Sequence, residues 1–499
     1  MVERGAVLYV WLVKIGKVIL LPVATKRRRK KAIVGEEGRA RFELSSEDVI
    51  TSTHVPHRGR RNGTANKVEE KDKPFHEWYR FVLSYPPHLV QDYISRFSLQ
   101  KGDALLDPFC GCGTTLVEGK LAGLKTIGVE ANPFAYFASK VKTSWEIDAI
   151  DLEDESREIA ETTIKQLKRQ GIDDFGLFQE KPDESKLLTL PQQKLKMLLS
   201  NSISPLPLHK SLVLLDNIKK MGSKKLQEHE LLAFANSLVF SVSNLHFGPE
   251  VGLGVVKSDA PVLSSWLSEI EKMARDLKSV SGRDYPECKA ILADSRDISL
   301  HIPASSVDAI ITSPPYPNEK DYTRTTRLES VLLGFIEDRT GLRSLKSSLL
   351  RSNTRNVYKG DDDDKWVSEY KEIQRISLAI EKRRIELNKN SGFEKLYGKV
   401  TKLYFGGMAR HFADLRKILK PNAKLAYVVG DQASYLRIMI RTGQLLAEIG
   451  EALGYEVMGL DLFRTRFASA TKEQLREEVL LLRWPGEKVQ GNGKGAKRV

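Results

Sequence analysis

Asp107-Pro108-Phe109-Cys110-Gly111-Cys112-Gly113-Thr114-Thr115 is the stretch that decides the fold of this chain. The apolar residues 104–106 before it predict a buried strand, and residues 114–122 predict a helix. Gly111 and Gly113 therefore fall on a strand-to-helix turn, where the backbone of a doubly wound α/β sheet approaches a ligand closely. This order of elements predicts a nucleotide-binding unit.

The next predicted strand, residues 125–129, ends at Glu130, where one carboxylate could accept both hydroxyls of a ribose. A dinucleotide-binding loop would have a third glycine where Leu116 stands, and a P-loop would need Gly-Lys-Ser/Thr, which is missing. The loop therefore favours an adenosine ligand without phosphates. The alternative is that its two glycines serve only tight helix–strand packing.

Thr312-Ser313-Pro314-Pro315-Tyr316 follows a second buried-strand pattern, residues 307–311. Prolines can merely end a strand, but that alternative does not explain the hydroxyl before them or the aromatic ring after them. An exocyclic base amine is a poor nucleophile because its lone pair is delocalised into the ring, so acceptors aimed at its protons would activate it. The Ser313 hydroxyl and the Pro314 carbonyl are the candidate acceptors. Tyr316 would stack on the base, a contact worth about 1–3 kcal/mol.

Together the two motifs resemble those of the DNA amino-methyltransferases, in which Asp-Pro-Phe-x-Gly-x-Gly-Thr-Thr is the cofactor loop and Ser/Asp/Asn-Pro-Pro-Tyr is the catalytic loop. Both are matched without gaps, and the resemblance covers residues 74–143 and 288–485. It implies an α/β, Rossmann-like class I methyltransferase fold: a mostly parallel seven-stranded sheet with helices on both faces, plus helical insertions. The implied cofactor is S-adenosyl-L-methionine.

The resemblance also implies which residues form the site. The implied cofactor-binding residues are Asp107, Pro108, Phe109, Gly111, Gly113, Thr114, Thr115, Glu130 and Asp294. Among them, Asp107 would bind the methionyl amine and Asp294 the adenine amine, although each carboxylate could instead cap a turn. The implied catalytic residues are Ser313, Pro314, Pro315 and Tyr316. No metal site is expected, because Cys110 and Cys112 have no cysteine or histidine partners nearby.

The predicted substrate is a base flipped out of DNA, since its amine is out of reach inside a duplex. In the resembled family, serine at the head of the catalytic loop mostly accompanies cytosine N4, and aspartate or asparagine mostly accompanies adenine N6. Ser313 therefore favours N4-methylcytosine. The alternatives are an adenine-N6 enzyme, an RNA base methyltransferase and a non-catalytic cofactor-binding subunit of a nucleic-acid complex. Methylation at C5 is discounted, because no cysteine lies in the catalytic loop.

Charge and composition agree with DNA as the partner. The chain has 79 Lys+Arg against 65 Asp+Glu, and its net charge of +14 favours a polyanion. The predicted nucleic-acid contacts are Lys320, Tyr322, Arg324 and Arg327, just past the catalytic loop. A restriction endonuclease is a further partner that the sequence leaves open. Three cysteines indicate a reducing cytoplasm, and two lysines inside the apolar segment 6–24 argue against a membrane span.

Further elements complete the predicted sheet. They are strands at residues 290–293, 424–429, 455–463 and 478–483, with helices at 412–419 and 442–453. Tyr85-Pro86-Pro87 looks like the catalytic loop but follows no buried strand, so it is not expected to act as that loop. Residues 74–79 and 85–90 instead resemble the segment that, in this family, precedes the cofactor loop and covers the methionine end.

The chain is predicted to consist of a catalytic domain in three parts, with additions. These are an N-terminal basic arm and linker (1–73), the part with the cofactor loop (74–144), a helical insertion that is a candidate for target recognition (145–287), the part with the catalytic loop (288–340), a basic helical insertion (341–402), the third catalytic part (403–485) and a disordered tail (486–499).

Overall fold

The structure, a computed structural model, describes residues 68–486 except 82–83, 175–181, 248–250, 319 and 469–472. The predicted basic arm up to residue 67 and the predicted tail from residue 487 onward lie outside the described residues. The described strands are β1 Ala104–Asp107, β2 Lys125–Glu130, β3 Leu245–Phe247, β4 Val251–Leu253, β5 Cys288–Leu292, β6 Val307–Thr312, β7 Leu419–Gly430, β8 Glu456–Ala468 and β9 Glu473–Trp484.

Seven of these strands form one sheet in the order β5-β2-β1-β6-β7-β9-β8. The strand β9 runs antiparallel to both of its neighbours, β7 and β8, and the other pairs in the sheet are parallel. From β1 the chain builds outward through β2 to β5, and then returns to the other side of β1 to form β6 and β7. The predicted Rossmann-like, mostly parallel seven-stranded sheet is therefore confirmed. Its strand order reverses between β1 and β6, which is where such sheets bind ligands.

Helices connect and cover the strands. They are α1 Pro87–Phe97, α2 Thr114–Leu121, α3 Pro133–Lys142, α4 Ala149–Arg169, α5 Gln192–Leu195, α6 Pro205–Met221, α7 Gln227–Ser237, α8 Val262–Val280, α9 Tyr322–Thr325, α10 Arg327–Leu333, α11 Arg339–Ser348, α12 Lys371–Glu386, α13 Tyr397–Leu415 and α14 Thr442–Ala452.

The two faces of the sheet are buried by different helices. Leu106 and Ile310 point to the face covered by α12, α13 and α14, whereas Leu105 and Ala309 point to the face covered by α1. This follows from the period of two along a strand. Because both faces of these strands are buried, the central strands read as continuous apolar runs in the sequence.

The residues between β2 and β5 form a largely helical body, and they share a buried core with residues 75–79 and 328–345. Its longest helices are α4, α6, α7 and α8, and Trp266 of α8 is fully buried among them. A short antiparallel hairpin, β3–β4, lies in the same part of the chain. None of the described helices is both long and apolar enough to cross a bilayer.

The prediction of a helix at residues 412–419 is wrong at the carboxyl end. The helix α13 ends at Leu415, and Leu419 already belongs to β7, where it pairs with Val307. The register then shifts, so that Ala309 pairs with Lys424. The extra residues of β7 include Pro421, which is tolerated at such an irregularity because no ladder hydrogen bond is required of it. The first residues of β7, with Pro421 among them, were therefore not predicted as strand. The sequence pattern placed residue 419 in the helix and the start of the strand only at residue 424.

Candidate active site

The two sequence motifs meet at the reversal point of the sheet. Asp107 ends β1 and Thr312 ends β6, and the Thr312 hydroxyl donates a hydrogen bond of 2.5 Å to the Asp107 carboxylate. A second bond runs from the Thr115 hydroxyl to the carbonyl oxygen of Ile311, at 3.0 Å. Side-chain hydrogen bonds therefore join the glycine loop to the strand that carries Ser-Pro-Pro-Tyr.

Asp107 itself is fully buried. Besides Thr312, it accepts hydrogen bonds from the Tyr85 hydroxyl at 2.8 Å and from the backbone N–H of Phe109 at 3.0 Å. Burial raises the pKa of Asp107, and these hydrogen bonds oppose the rise. The geometry gives Asp107 a role in organising the loops, and its predicted contact with a methionyl amine stays a prediction.

The glycines of the loop satisfy two different needs. Gly111 and Gly113 have φ of +52° and +85°, a region that disfavours other residues. Gly113 begins α2, and a Cβ there would lie 3.0 Å from the Cβ of Ser139 on α3. The N–H of Gly111 donates to Glu130 at 2.9 Å. Close packing and a carboxylate contact thus both require this turn.

Glu130 lies at the end of β2 with both carboxylate oxygens engaged by backbone. One accepts from Gly111 and the other from the N–H of Asn132 at 2.7 Å. Burial raises the pKa of Glu130 to about 7 against the opposing effect of these hydrogen bonds. The carboxylate therefore changes its charge near neutral pH.

A cavity of about 810 Å³ opens over these strand ends. The predicted site residues on its wall are Pro108, Phe109, Gly111, Thr114, Glu130, Asp294, Ser313, Pro314, Pro315, Tyr316, Lys320 and Tyr322. The predicted site residues outside its wall are Asp107, Gly113, Thr115, Arg324 and Arg327. We call this space the catalytic cavity. Its volume is typical of a pocket for a small organic ligand.

The Ser-Pro-Pro-Tyr loop is held against the end of β7. The Ser313 hydroxyl donates to the carbonyl oxygen of Val428 at 3.1 Å, which leaves its two lone pairs as acceptors. The Tyr316 ring packs on Gly430, where a Cβ would lie 3.0 Å from the ring. Burial raises the pKa of Tyr316, and raises that of Tyr322 to about 12, so both phenols are neutral at physiological pH.

Asp294 lines the catalytic cavity but already has protein partners. It caps the short helix Ser295–Leu300 by accepting from the N–H of Arg296 at 3.0 Å. The Arg296 guanidinium also pairs with Asp294 at 2.5 Å and with Asp363 at 2.5 Å. The capping alternative is thus present in the geometry, and a contact with adenine stays a prediction.

The predicted nucleic-acid contacts divide between two places. Lys320 and Tyr322 line the catalytic cavity. Arg324 and Arg327 line a neighbouring cavity of about 350 Å³. Arg327 is tied to the protein there, since its guanidinium donates to the hydroxyl of Thr323 at 2.8 Å and to its carbonyl at 3.1 Å.

Comparisons with known proteins agree with this geometry. Residues 15–140 match a family model described as DNA methylase, and residues 94–202 match an RMKL-like methyltransferase domain. The type II methyltransferase M.BsoBI of Geobacillus stearothermophilus is 27% identical over 81% of this chain and 83% of its own length. M.AvaI of Nostoc is 24% identical over 78% of this chain and 80% of its own length. The predicted relationship to DNA amino-methyltransferases is confirmed.

A solved structure, TrmN from Thermus thermophilus, is also similar to this methyltransferase chain, at 12% identity. It has a TM-score of 0.25 and covers 83% of this chain and 53% of its own.

Tyr85 is a residue of this site that lies outside the two sequence motifs. Tyr85 lines the catalytic cavity, and its hydroxyl contacts both Asp107 and Thr115. Pro86 and Pro87 begin α1, which fixes the position of Tyr85 beside the glycine loop. An aromatic side chain thus reaches this cavity from the residues before α1 as well as from the loop after β6. The phenol before the two prolines was the available signal.

Asn356 is a second residue of the cavity wall that the sequence did not reveal. It is only 1% exposed, and its Oδ1 has no hydrogen-bond partner among the described residues. A buried acceptor without a hydrogen-bond partner is costly unless something binds it. Asn356 lies in the short helix Thr354–Asn356, and no motif marks that part of the sequence.

Replacing Thr312 by valine should lower the free energy of unfolding by about 1–3 kcal/mol, because the buried Asp107 carboxylate loses a hydrogen bond without a change in side-chain shape. Urea unfolding of the two proteins measures the loss. Thr312→Ser is the control, since it keeps the hydroxyl and should retain more stability than the valine variant. Equal stability of the valine variant and the wild type would contradict the role given to this bond.

Proposed function

We propose that this protein is a site-specific DNA methyltransferase that transfers a methyl group from S-adenosyl-L-methionine to the exocyclic N4 amine of a flipped-out cytosine. The observation that carries the choice of cytosine is Ser313 at the head of the catalytic loop, on the wall of the catalytic cavity. The similarity to type II methyltransferases supports DNA as the substrate. A restriction endonuclease with the same target sequence is the proposed functional partner.

The cavity residues fit the proposed cofactor in kind. Glu130 offers a carboxylate to ribose hydroxyls, and Pro108 and Phe109 offer an apolar wall. The positive φ of Gly111 brings backbone, without a side chain, to the same wall. S-adenosyl-L-methionine, when bound, supplies a methyl group whose bond to sulfur breaks as the bond to the base nitrogen forms.

The catalytic loop is suited to activating a base amine. Because the Ser313 hydroxyl donates its hydrogen bond to the Val428 carbonyl, its oxygen is the proposed acceptor for one amine hydrogen. The Pro314 carbonyl is the proposed acceptor for the other hydrogen, on a backbone with a fixed φ. Two accepted hydrogen bonds localise the nitrogen lone pair, and Tyr316 is placed to stack on the ring.

Adenine N6 is the second candidate, and Asn356 is the observation that favours it. A carboxamide pairs well with adenine through N6 and N7. The unpaired Oδ1 of Asn356 on the cavity wall offers an acceptor for the N6 amine, whereas Ser313 favours cytosine.

The test of the function is to incubate the protein and S-adenosyl-L-methionine with unmethylated genomic DNA, and separately with RNA, and to weigh the digested nucleosides by mass spectrometry. We expect N4-methylcytosine from DNA. N6-methyladenine would replace the proposal with the second candidate, and a product from RNA alone would change the substrate class. Cofactor binding without any product would identify a non-catalytic subunit or a missing partner.

The Ser313→Ala variant should lose about 100-fold in kcat, the order of loss when one preorganised hydrogen bond of a transition state is removed. Its affinity for the cofactor should not change. Single-turnover methylation and calorimetric cofactor binding measure the two effects. Ser306→Ala is the matched control, because Ser306 lies just before β6 and bonds only the Pro303 carbonyl among the hydrogen bonds described for its hydroxyl. Full activity of Ser313→Ala would remove the serine from the proposed mechanism.

Cofactor affinity should depend on pH through Glu130. An ionised carboxylate is needed to accept both ribose hydroxyls, and the pKa of Glu130 is about 7. Affinity should therefore fall as the pH drops from about 8 to about 6, by at most about tenfold per pH unit. Titration calorimetry measures it, and Glu130→Gln should bind more weakly at pH 8 and lose this pH dependence. A wild-type profile that matches that of Glu130→Gln would refute the assignment.

A further inference from the structure

The helix α9 lies between the catalytic cavity and the neighbouring cavity that Arg324 and Arg327 line. We call this neighbouring space the second cavity. Tyr322 and Thr325 of α9 line the catalytic cavity, whereas Arg324 lines the second cavity of about 350 Å³. The two cavities are therefore neighbours on opposite sides of a single helical turn. Whatever occupies the second cavity lies next to whatever occupies the first.

The second cavity is strongly basic. Among the described residues, its wall contains four cations and one carboxylate, which are Arg324, Arg327, Lys346, Arg355 and Asp321. Lys346 pairs with Asp321 at 2.7 Å, so that carboxylate is already neutralised. The described wall therefore carries more cations than carboxylates, and an anion would be the favoured occupant.

Segments that are far apart in the sequence build this cavity. Arg324 and Arg327 follow the catalytic loop, and Lys346 and Arg355 belong to the basic segment after it. The facing wall comes from residues 197–202 and from Leu245 and Val251 of the β3–β4 hairpin. A hydrogen bond of 3.4 Å from Arg327 to the Met197 carbonyl joins the two walls. The helical body between β2 and β5 thus gains a role beside the catalytic cavity.

We propose that the second cavity binds a phosphodiester group of the DNA strand adjacent to the flipped nucleotide. This inference rests on the proposed function, which it deepens. Neither S-adenosyl-L-methionine nor an isolated base carries a phosphate, so neither accounts for three arginines. A flipped nucleotide remains attached to phosphodiesters on both sides, and arginine binds phosphate oxygens with directed pairs of hydrogen bonds.

Arg355 offers the cleanest test of the site. Its side chain is exposed, it stacks 5.9 Å from the Phe393 ring centre, and no carboxylate pairs with it among the described residues. Removing its charge therefore leaves no buried partner behind. Lys346 is less suitable, because its removal would strand Asp321, which is only 8% exposed.

The experiment measures the affinity of the full chain for a short DNA duplex, with S-adenosyl-L-methionine present, between about 50 and 200 mM salt. We expect Arg355→Gln to bind several-fold more weakly, with a slope of log K against log salt that is shallower by about 1. Arg355→Lys should keep the slope, since it keeps the charge. The matched control is Lys382→Gln, which removes an exposed cation of α12 that lines neither cavity.

Each outcome decides the proposal. A shallower slope for Arg355→Gln than for Lys382→Gln, with cofactor affinity unchanged in both, supports it. Equal slopes for the two variants overturn it while leaving the proposed function intact. Binding of RNA but not of DNA overturns it in favour of an RNA backbone. A wild-type protein that binds the cofactor but no nucleic acid overturns both the phosphate site and the proposed function.

Discussion

The parallel pairing of β1 with β6 is the constraint on which the site depends. Leu105 pairs with Ala309 and Leu106 with Ile310, so the two strands end side by side. Thr312 can then bond Asp107 across 205 residues of sequence. A register slip by one residue would turn every side chain of β6 to the opposite face of the sheet and separate these groups.

The rest of the chain fixes the loops that leave this edge. Arg296 pairs with Asp294 after β5 and with Asp363 before α12, and so holds two distant loops together. Such a buried ion pair adds little net stability once desolvation is counted, but it fixes the geometry of the groups that it joins. The helical body between β2 and β5 shares a buried core with residues 75–79 and 328–345, and this common core supports the wall that the body contributes to the second cavity.

The two cavities differ in their chemistry as their proposed tasks require. Neutral phenols, prolines and amides form much of the catalytic cavity, where a base must be desolvated and its amine held by hydrogen bonds. Arginines dominate the second cavity, where charge would bind a backbone without reading its sequence. The helix α9 supplies residues to both, so base position and backbone position are coupled through one short element.

The sequence by itself determined the strand-turn-helix at Asp107–Thr115, the strand before Ser313 and the relationship to the methyltransferases, because apolar periodicity, glycine and proline act on their near neighbours. It did not reveal that Asp107 is buried behind the cavity wall, that the Tyr85 hydroxyl donates a hydrogen bond to it, or that the Oδ1 of Asn356 on that wall has no partner among the described residues. The sequence also did not reveal that Arg324 and Arg355 line the same cavity. Those features were decided only by the tertiary structure, since each depends on contacts between segments whose separation along the chain leaves no local pattern.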